Sequence, residues 1–191
     1  MYQIDTPNGA FCCAFSNNGF FLAIACVAPQ HSSNLIKIYD VLTGDRLTTM
    51  EGHIDLIYQL TWSSNDLELL SCSSDGTARI WIVDSSHTDC KILHHPAFVY
   101  AVIYQCHQDE SKVVTGCYDG FIRIWDKNTE KCVYKLSGHA THVNAICFNI
   151  QGNRMYSGDA SGLIKIWAEV DNEGKFECIR TIDSFNVTLI M

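Results

Sequence analysis

Histidine, serine or threonine, and aspartate recur together along this chain, and they are the residue types of a nucleophilic triad. In such a triad a histidine takes a proton from a hydroxyl while a carboxylate orients the imidazole, which permits acyl transfer. A catalytic triad is unique within an enzyme, whereas this combination occurs twice at similar spacing. The repetition therefore predicts a structural role and no catalytic residue. The two sets are His53, Ser71 and Asp75, and His95, Thr115 and Asp119.

Histidine and cysteine could also bind a metal. His94 and His95, with Cys106 and His107, could supply zinc ligands, but they lack the close pairing of structural zinc sites. The ten cysteines form no Cys-x-x-Cys pair, and the start of the chain lacks the pattern of a secretory signal. We therefore predict reduced thiols that pack as small apolar side chains, with no metal and no cofactor. Four of them lie inside strand-like runs: Cys26, Cys72, Cys117 and Cys147.

The elements that position these residues follow a repeat. A tyrosine or tryptophan ends a short apolar run four times, at intervals of 42, 44 and 42 residues. The histidine of a Gly-His pair stands 28 residues before two of these aromatic residues, and an Asp-Gly or Ser-Gly pair begins six residues before three of them. A period of about 40 to 45 residues with these landmarks is typical of the WD40 β-propeller blade, which the repeats resemble. The aromatic residues are Tyr39, Trp81, Trp125 and Trp167.

Each repeat contains four runs that are rich in β-branched and aromatic residues and are separated by turn residues. Asp-Gly pairs between such runs predict tight hairpin turns, and no long stretch has helical periodicity. We therefore predict an all-β fold, a WD40 β-propeller with about four four-stranded blades of a larger ring. The resemblance implies about seven blades in that ring. The expected blades are residues 10–50, 52–93, 95–136 and 139–182, and residues 183–191 are expected to begin another.

The resemblance to WD40 proteins also implies a buried hydrogen-bond network of histidine, serine or threonine, aspartate and tryptophan within a blade. These polar groups satisfy one another and fix the register of the strands. Ser161 stands at the aspartate position of the fourth blade, so we expect a weaker network there. The first blade lacks these landmarks, and its longer path predicts an exposed insertion at residues 28–34. The implied members are His53, Ser71, Asp75, Trp81, His95, Thr115, Asp119, Trp125, His139, Ser157 and Trp167.

A partner-binding surface is expected on the top face, the end of the ring where the innermost strands begin. In WD40 proteins the second residue of the innermost strand and the residue before the turn aspartate open onto this face. Tyrosine is enriched in protein interfaces because it contributes a large area with little entropy to lose. The alternative is that these rings only pack against neighbouring loops. The candidate positions are Phe11, Tyr58, Ser74, Tyr100, Tyr118 and Asn144.

Composition and charge restrict the classes of partner. The net charge is −8, which repels a phosphate backbone, so we expect no nucleic-acid partner. No apolar run approaches the about 18 residues of a membrane span, so we expect no membrane-inserted protein. The propeller architecture that the repeats resemble usually binds proteins rather than transforming substrates, so we expect protein partners in the cytoplasm and no small-molecule substrate.

Four segments have a more specific resemblance. They are SCSSDGTARIW, HHPAFVY, VVTGCYDGFIRIW and MYSGDASGLIKIW. In sequence and order they resemble the WD40 repeats of the jouberin family of ciliary scaffold proteins. That resemblance implies a non-enzymatic scaffold at the basal body and transition zone that supports cilium assembly. Two alternatives stay open: a general WD40 adaptor, such as a substrate receptor or chromatin-associated reader, and a propeller-borne hydrolase.

Overall fold

A computed structural model describes residues 3–4, 6–29, 33–83, 89–105, 110–171 and 174–183. These residues form four antiparallel four-stranded sheets, and in each sheet the strands are neighbours in chain order. The first sheet contains β1 (Ala10–Phe15), β2 (Phe21–Cys26), β3 (Asn34–Asp40) and β4 (Arg46–His53). The second contains β5 (Ile57–Trp62), β6 (Glu68–Ser73), β7 (Thr77–Ile82) and β8 (Cys90–His94). The third contains β9 (Val99–Tyr104), β10 (Lys112–Cys117), β11 (Ile122–Asp126) and β12 (Lys131–Leu136). The fourth contains β13 (Val143–Phe148), β14 (Arg154–Asp159), β15 (Leu163–Glu169) and β16 (Phe176–Asp183).

The predicted all-β fold with about four four-stranded blades is confirmed. The first strands of successive sheets lie side by side, β1 against β5, β5 against β9 and β9 against β13, so they form the inner edge of an arc. The third strands continue one or two residues beyond the repeated aromatic residue, as β7 does to Ile82 and β15 to Glu169. The residues expected to begin a further blade after Asp183 lie outside the described part of the chain.

Tight turns join the second and third strands of the later sheets. Gly76 and Gly120 both have φ of +78°, a conformation that strains residues with a side chain. At Gly120 there is a second constraint, because a Cβ atom would lie 2.7 Å from the carbonyl oxygen of His139, in the loop that leads into β13. The Asp-Gly pairs therefore serve both the hairpin and the close approach of neighbouring blades.

The core lies between the sheets. Each repeated tryptophan packs against the preceding sheet: Trp81 lies with Ile36 and Ile38, and Trp125 lies with residues of the second sheet. Trp167 packs in the same way against the third sheet. Burial of such large apolar side chains is the main source of stability in a fold whose blades touch only their neighbours.

The two end sheets show that this is a partial ring. On β1, Phe15 is 61% exposed, whereas Trp62 at the same position of β5 is 6% exposed. At the other end, Ile164 on β15 is 39% exposed, whereas Ile122 at the same position of β11 is 1% exposed. The faces that pack against a neighbour in the middle of the arc are thus open at its ends.

Burial of the cysteines follows from this arrangement. The nine cysteines in the described residues are free, and Cys26, Cys72 and Cys117 are buried as predicted. Cys147 is exposed, because it lies on the open face of the fourth sheet. Cys106 and His107, considered as zinc ligands, lie outside the described residues.

The expected insertion at residues 28–34 is described only in part. Residues 30–32 lie outside the described ranges, and Pro29 and Ser33 are exposed. Asn34 differs from the expectation, since it is 8% exposed and begins β3. Its Oδ1 accepts a hydrogen bond from the Ala28 backbone N–H at 2.8 Å, which closes the base of the loop.

Candidate functional site

A closed hydrogen-bond network joins residues of the second sheet to His53, the last residue of β4. Ser71 Oγ lies 2.7 Å from His53 Nε2 and accepts a bond from Trp81 Nε1 at 2.8 Å. On the other side of the ring, His53 Nδ1 lies 2.7 Å from Asp75 Oδ2. The Ser71 side chain is fully buried, and its hydroxyl contacts the His53 and Trp81 rings and, at 3.5 Å, the Arg79 carbonyl oxygen, so it is inaccessible to a substrate. This geometry supports a structural network rather than a nucleophilic site.

Electrostatics agree with a neutral imidazole beside an ionised carboxylate. Burial lowers the pKa of His53, and the hydrogen bond to Asp75 offsets only part of that effect. Burial alone would raise the pKa of Asp75, but the bonds from His53 and Thr77 outweigh it and hold the pKa well below its usual value. The Asp75 carboxylate therefore keeps its negative charge at neutral pH.

In the fourth sheet the structure corrects the expectation of a weaker network. His139 Nε2 lies 2.6 Å from Ser157 Oγ, which accepts a bond from Trp167 Nε1 at 2.8 Å. The carboxylate is supplied by Asp159, whose Oδ2 lies 2.8 Å from His139 Nδ1. Sequence reasoning missed Asp159 because it stands two residues before the turn position, at the end of β14.

Ser161 takes part in the same network from the turn. Its hydroxyl donates to Asp159 Oδ1 at 2.6 Å, and the Ser161 backbone N–H donates to the same oxygen at 2.9 Å. The network is therefore complete with an aspartate and a serine exchanged in position. The signal in the sequence was the aspartate that directly precedes Ala160.

The third sheet departs from the expected network in the opposite way. His95 Nε2 lies 2.8 Å from Thr115 Oγ1, which also accepts from Trp125 Nε1 at 3.0 Å. His95 Nδ1, however, lies 3.0 Å from the Leu93 carbonyl oxygen, so it carries the proton. Asp119, predicted to bond this histidine, instead forms an ion pair with Arg123 at 2.6 Å.

A glycine explains why Arg123 differs from its counterparts. Gly52 has φ of +157°, and a Cβ atom there would collide with the Arg79 guanidinium; Gly138 leaves similar room for Lys165. Before the third sheet the glycine position is occupied by His94, the last residue of β8. We interpret the Arg123–Asp119 pair as the consequence, because the space above the outer strand is not available to the guanidinium.

The candidate top-face residues of the inner strands share an unexpected backbone feature. In each sheet the pairing of the first two strands skips one residue near the start of the inner strand, which is a β-bulge. A bulge turns its extra residue out of the pleat and is common next to functional sites. The four skipped residues are Phe11, Tyr58, Tyr100 and Asn144.

Six rings form one continuous cluster on this face, which we call the aromatic patch. Its members are Phe11, Tyr58, Phe98, Tyr100, Tyr118 and His142.

Contacts join the rings of the patch across all four sheets. The Phe11 and Tyr58 ring centroids are 5.5 Å apart, and those of Tyr58 and Tyr100 are 4.7 Å apart. Tyr118 lies 6.4 Å from Tyr100 and stacks on His142 at 5.4 Å with nearly parallel planes. Tyr58 and Tyr100 are half-buried by this packing. Burial, with a smaller effect of the neighbouring Tyr58, raises the pKa of Tyr100.

The outer members of the patch remain open to solvent. Phe11 is 52% exposed, Phe98 is 45% exposed and Tyr118 is 54% exposed. Sequence reasoning missed Phe98 and His142, although both stand three residues after the histidine of their blades.

Two predicted top-face positions contribute no ring. Asn144 is exposed, whereas Ser74 is buried and donates to the Leu56 carbonyl oxygen at 3.4 Å, so it is not available to a partner.

The described residues contain no group of His, Cys, Asp and Glu side chains that could hold a metal ion. Within the same residues, no helix has the length and apolar character needed to cross a membrane.

Comparisons with known proteins agree on the fold. The family model described as WD domain, G-beta repeat matches residues 44–81, 87–126 and 130–168. Jouberin of Rattus norvegicus is 41% identical over 164 residues, which is 83% of this chain but 15% of that protein. Protein tipD of Dictyostelium discoideum is 24% identical over 82% of this chain and 24% of its own length. A chain in a crystal structure of the mitotic checkpoint complex matches with a TM-score of 0.77 and 22% identity, over 91% of this chain and 52% of that one.

Proposed function

The chain belongs to the WD40 repeat family, whose model matches more than half of its residues, and on this premise we propose that it is a protein-interaction scaffold that docks partners on the aromatic patch. The observation that carries the proposal is the continuous cluster of rings on one face, three of them about half exposed. Isolated surface aromatic residues are ordinary, whereas a contiguous exposed apolar patch marks an interaction site. Aromatic side chains are also the residues that dominate binding energy in interfaces.

A non-enzymatic role is supported by the state of the hydroxyl groups. Ser71, Thr115 and Ser157 are buried, and each is bonded to a tryptophan of its own sheet and to the histidine that precedes that sheet in the chain. A nucleophile needs an open path to its substrate and a base that is free to accept the proton. The three networks offer neither.

The finer proposal is a jouberin-like role in cilium assembly, at the basal body and transition zone. Its support is the 41% identity to jouberin, which exceeds the identity to the other relatives named here. The chain spans 15% of that relative's length, so the comparison concerns the WD40 repeats alone. The partners of such a scaffold are proteins of ciliary or cytoplasmic complexes.

Affinity capture from ciliated cells tests both levels of the proposal. The tagged protein with Phe98→Ala and Tyr118→Ala should lose captured proteins, because both rings are about half exposed and lie in contact at 5.9 Å. Its melting temperature should stay close to that of the wild type. A matched control with Leu42→Ala and Ile150→Ala removes side chains that are 88% and 97% exposed away from the patch.

The control should capture the same proteins as the wild type. Equal capture by the patch variant would contradict docking on this face. The ciliary role has its own test. If the patch variant loses its captured proteins but those proteins include no ciliary proteins, and the tagged product is absent from the cilium base, the ciliary role is contradicted and a general adaptor is favoured.

A further inference from the structure

The aromatic patch presents ring faces as well as ring edges. Tyr118 and His142 stack with an angle of 8° between their planes, and Tyr118 keeps more than half of its surface in contact with solvent. The face of an aromatic ring carries negative electrostatic potential and attracts a cation placed above it. The patch is therefore not simply an apolar surface.

The loops that surround the patch carry charge of one sign. They span residues 53–58, 73–77, 95–100, 117–121, 139–144 and 159–163, and they contain four aspartates but neither lysine nor arginine. Asp119 is neutralised by Arg123, whereas Asp75 and Asp159 are bonded to histidines and Asp55 is exposed. Arg79 lies on β7, outside these loops, and its Nη1 is 3.7 Å from Cys90 Sγ. Lys135 Nζ lies 3.8 Å from the Phe121 ring centroid, at the outer edge of these loops. Asp55 is therefore the exposed carboxylate that these loops present without a cation beside it.

From the rings and the charges together, we propose that the aromatic patch binds an arginine side chain displayed by an extended segment of a partner protein; this rests on the docking function proposed above. The planar guanidinium stacks on the exposed rings, and Asp55, three residues before Tyr58, supplies the carboxylate. Arginine suits this surface better than lysine because its guanidinium is flat and more weakly hydrated.

Other polymers fit the same surface less well. Nucleobases also stack on tyrosine, but their phosphates would be repelled by the exposed Asp55 carboxylate and by the net charge of −8. An acidic peptide would be repelled in the same way, since the loops named above offer it no cation. Charge complementarity therefore selects a basic segment.

A peptide titration of the intact chain tests the proposal. The probes are ten-residue Gly-Ser peptides that carry three arginines, three lysines, three citrullines or three glutamates, and tyrosine fluorescence reports binding. We expect the arginine peptide to bind at least about threefold more tightly than the citrulline peptide, the scale of an exposed cation–π contact. The Asp55→Asn substitution should weaken the binding of the arginine peptide and leave the binding of the citrulline peptide unchanged.

Two substitutions of Tyr118 distinguish an effect of the aromatic ring from an effect of side-chain size. Tyr118→Phe keeps the ring face and should retain the preference for arginine, whereas Tyr118→Leu keeps an apolar side chain and should abolish it. Tyr118 is 54% exposed, so neither change should move the melting temperature. Equal binding of the arginine and citrulline peptides, or tighter binding of the glutamate peptide or of a single-stranded oligonucleotide, would overturn the arginine proposal. The docking function would still stand in that case if the Phe98→Ala and Tyr118→Ala variant loses its captured proteins.

Discussion

At the scale of single residues, burial decides what the histidines can do. Burial, helped by Arg123, lowers the pKa of His95 to about 4 from an ordinary value of 6.5. Burial lowers the pKa of His53 as well. Both imidazoles are therefore neutral in the folded protein at a pH where the unfolded chain already binds protons. This difference couples stability to pH.

We predict that the free energy of unfolding decreases as the pH falls from about 6.5 toward 4. The contribution of His95 is fully present above the unfolded pKa of 6.5 and is lost as the pH falls through the folded pKa of about 4. The loss should be on the order of 1 to 3 kcal/mol, measured by urea unfolding at pH 7 and pH 4.5. In His95→Gln, which can still bond Thr115, this loss should be smaller; an identical pH dependence would show that His95 does not titrate as proposed.

Single residues also show where sequence reasoning stopped. Counting from the histidines found Tyr58 and Tyr100, because backbone geometry repeats from blade to blade and both rings lie at the bulge. It failed for Asp159 and Asp119, because the reach of a carboxylate depends on side-chain direction and on which cation is near. A second carboxylate at position 161 would face Asp159, so the serine there is part of the network rather than a defect in it.

At the scale of elements, acidic side chains join the loops of neighbouring blades. Asp66 accepts hydrogen bonds from the backbone N–H groups of Asn17 and Asn18 at 2.7 and 2.9 Å. Glu110 accepts from the Ser64 N–H at 3.0 Å in the same position of the next pair of sheets. Both acidic residues have positive φ, 59° and 42°, which directs them toward the preceding blade.

The fourth blade lacks this joint. The matching position is Gly152, with φ of 73° and no side chain to reach back. The sequence predicted the strands well because periodicity encodes them. It did not predict the joint, because the acidic residues lie at different distances from the inner strand.

We predict that Asp66→Gly lowers the free energy of unfolding by about 1 to 3 kcal/mol, the cost of leaving backbone donors without their acceptor. Glycine is the informative choice because it permits the positive φ of 59°, so the measurement isolates the hydrogen bonds. Chemical denaturation gives the value. As a matched control, Asp45→Gly changes an aspartate in an exposed turn, whose backbone N–H is bonded locally to Thr43. An effect no larger than that of the control would mean that the joint contributes nothing measurable.

At the scale of the whole molecule, the open end faces determine behaviour in solution. The chain covers 52% of the WD40-like chain it matches in the mitotic checkpoint complex, so a ring of that kind has about twice as many residues as the arc described here. Phe15 and Ile164 stand where a neighbouring blade would pack. Exposed apolar faces of this kind promote association.

We predict that the isolated chain of 191 residues self-associates and that Phe15→Lys with Ile164→Lys reduces this association. Each lysine places a charge on one open face, and Leu42→Lys provides a control because Leu42 is exposed at a turn. Light scattering at several concentrations measures the effect. A monomer at every concentration would contradict the expectation that further blades cover these faces.

Docking on the aromatic patch is the central claim, and site-specific photo-crosslinking tests it most directly. A photoreactive phenylalanine analogue is placed at Tyr118, in the patch, or at Ile150, which is 97% exposed beyond the opposite end of β13. After irradiation in ciliated cells, the protein labelled at position 118 should form covalent adducts with a small set of partner proteins. The protein labelled at position 150 should not form those adducts. Adducts with the same partners at position 150 and none at position 118 would contradict the claim and would place the partner on another face.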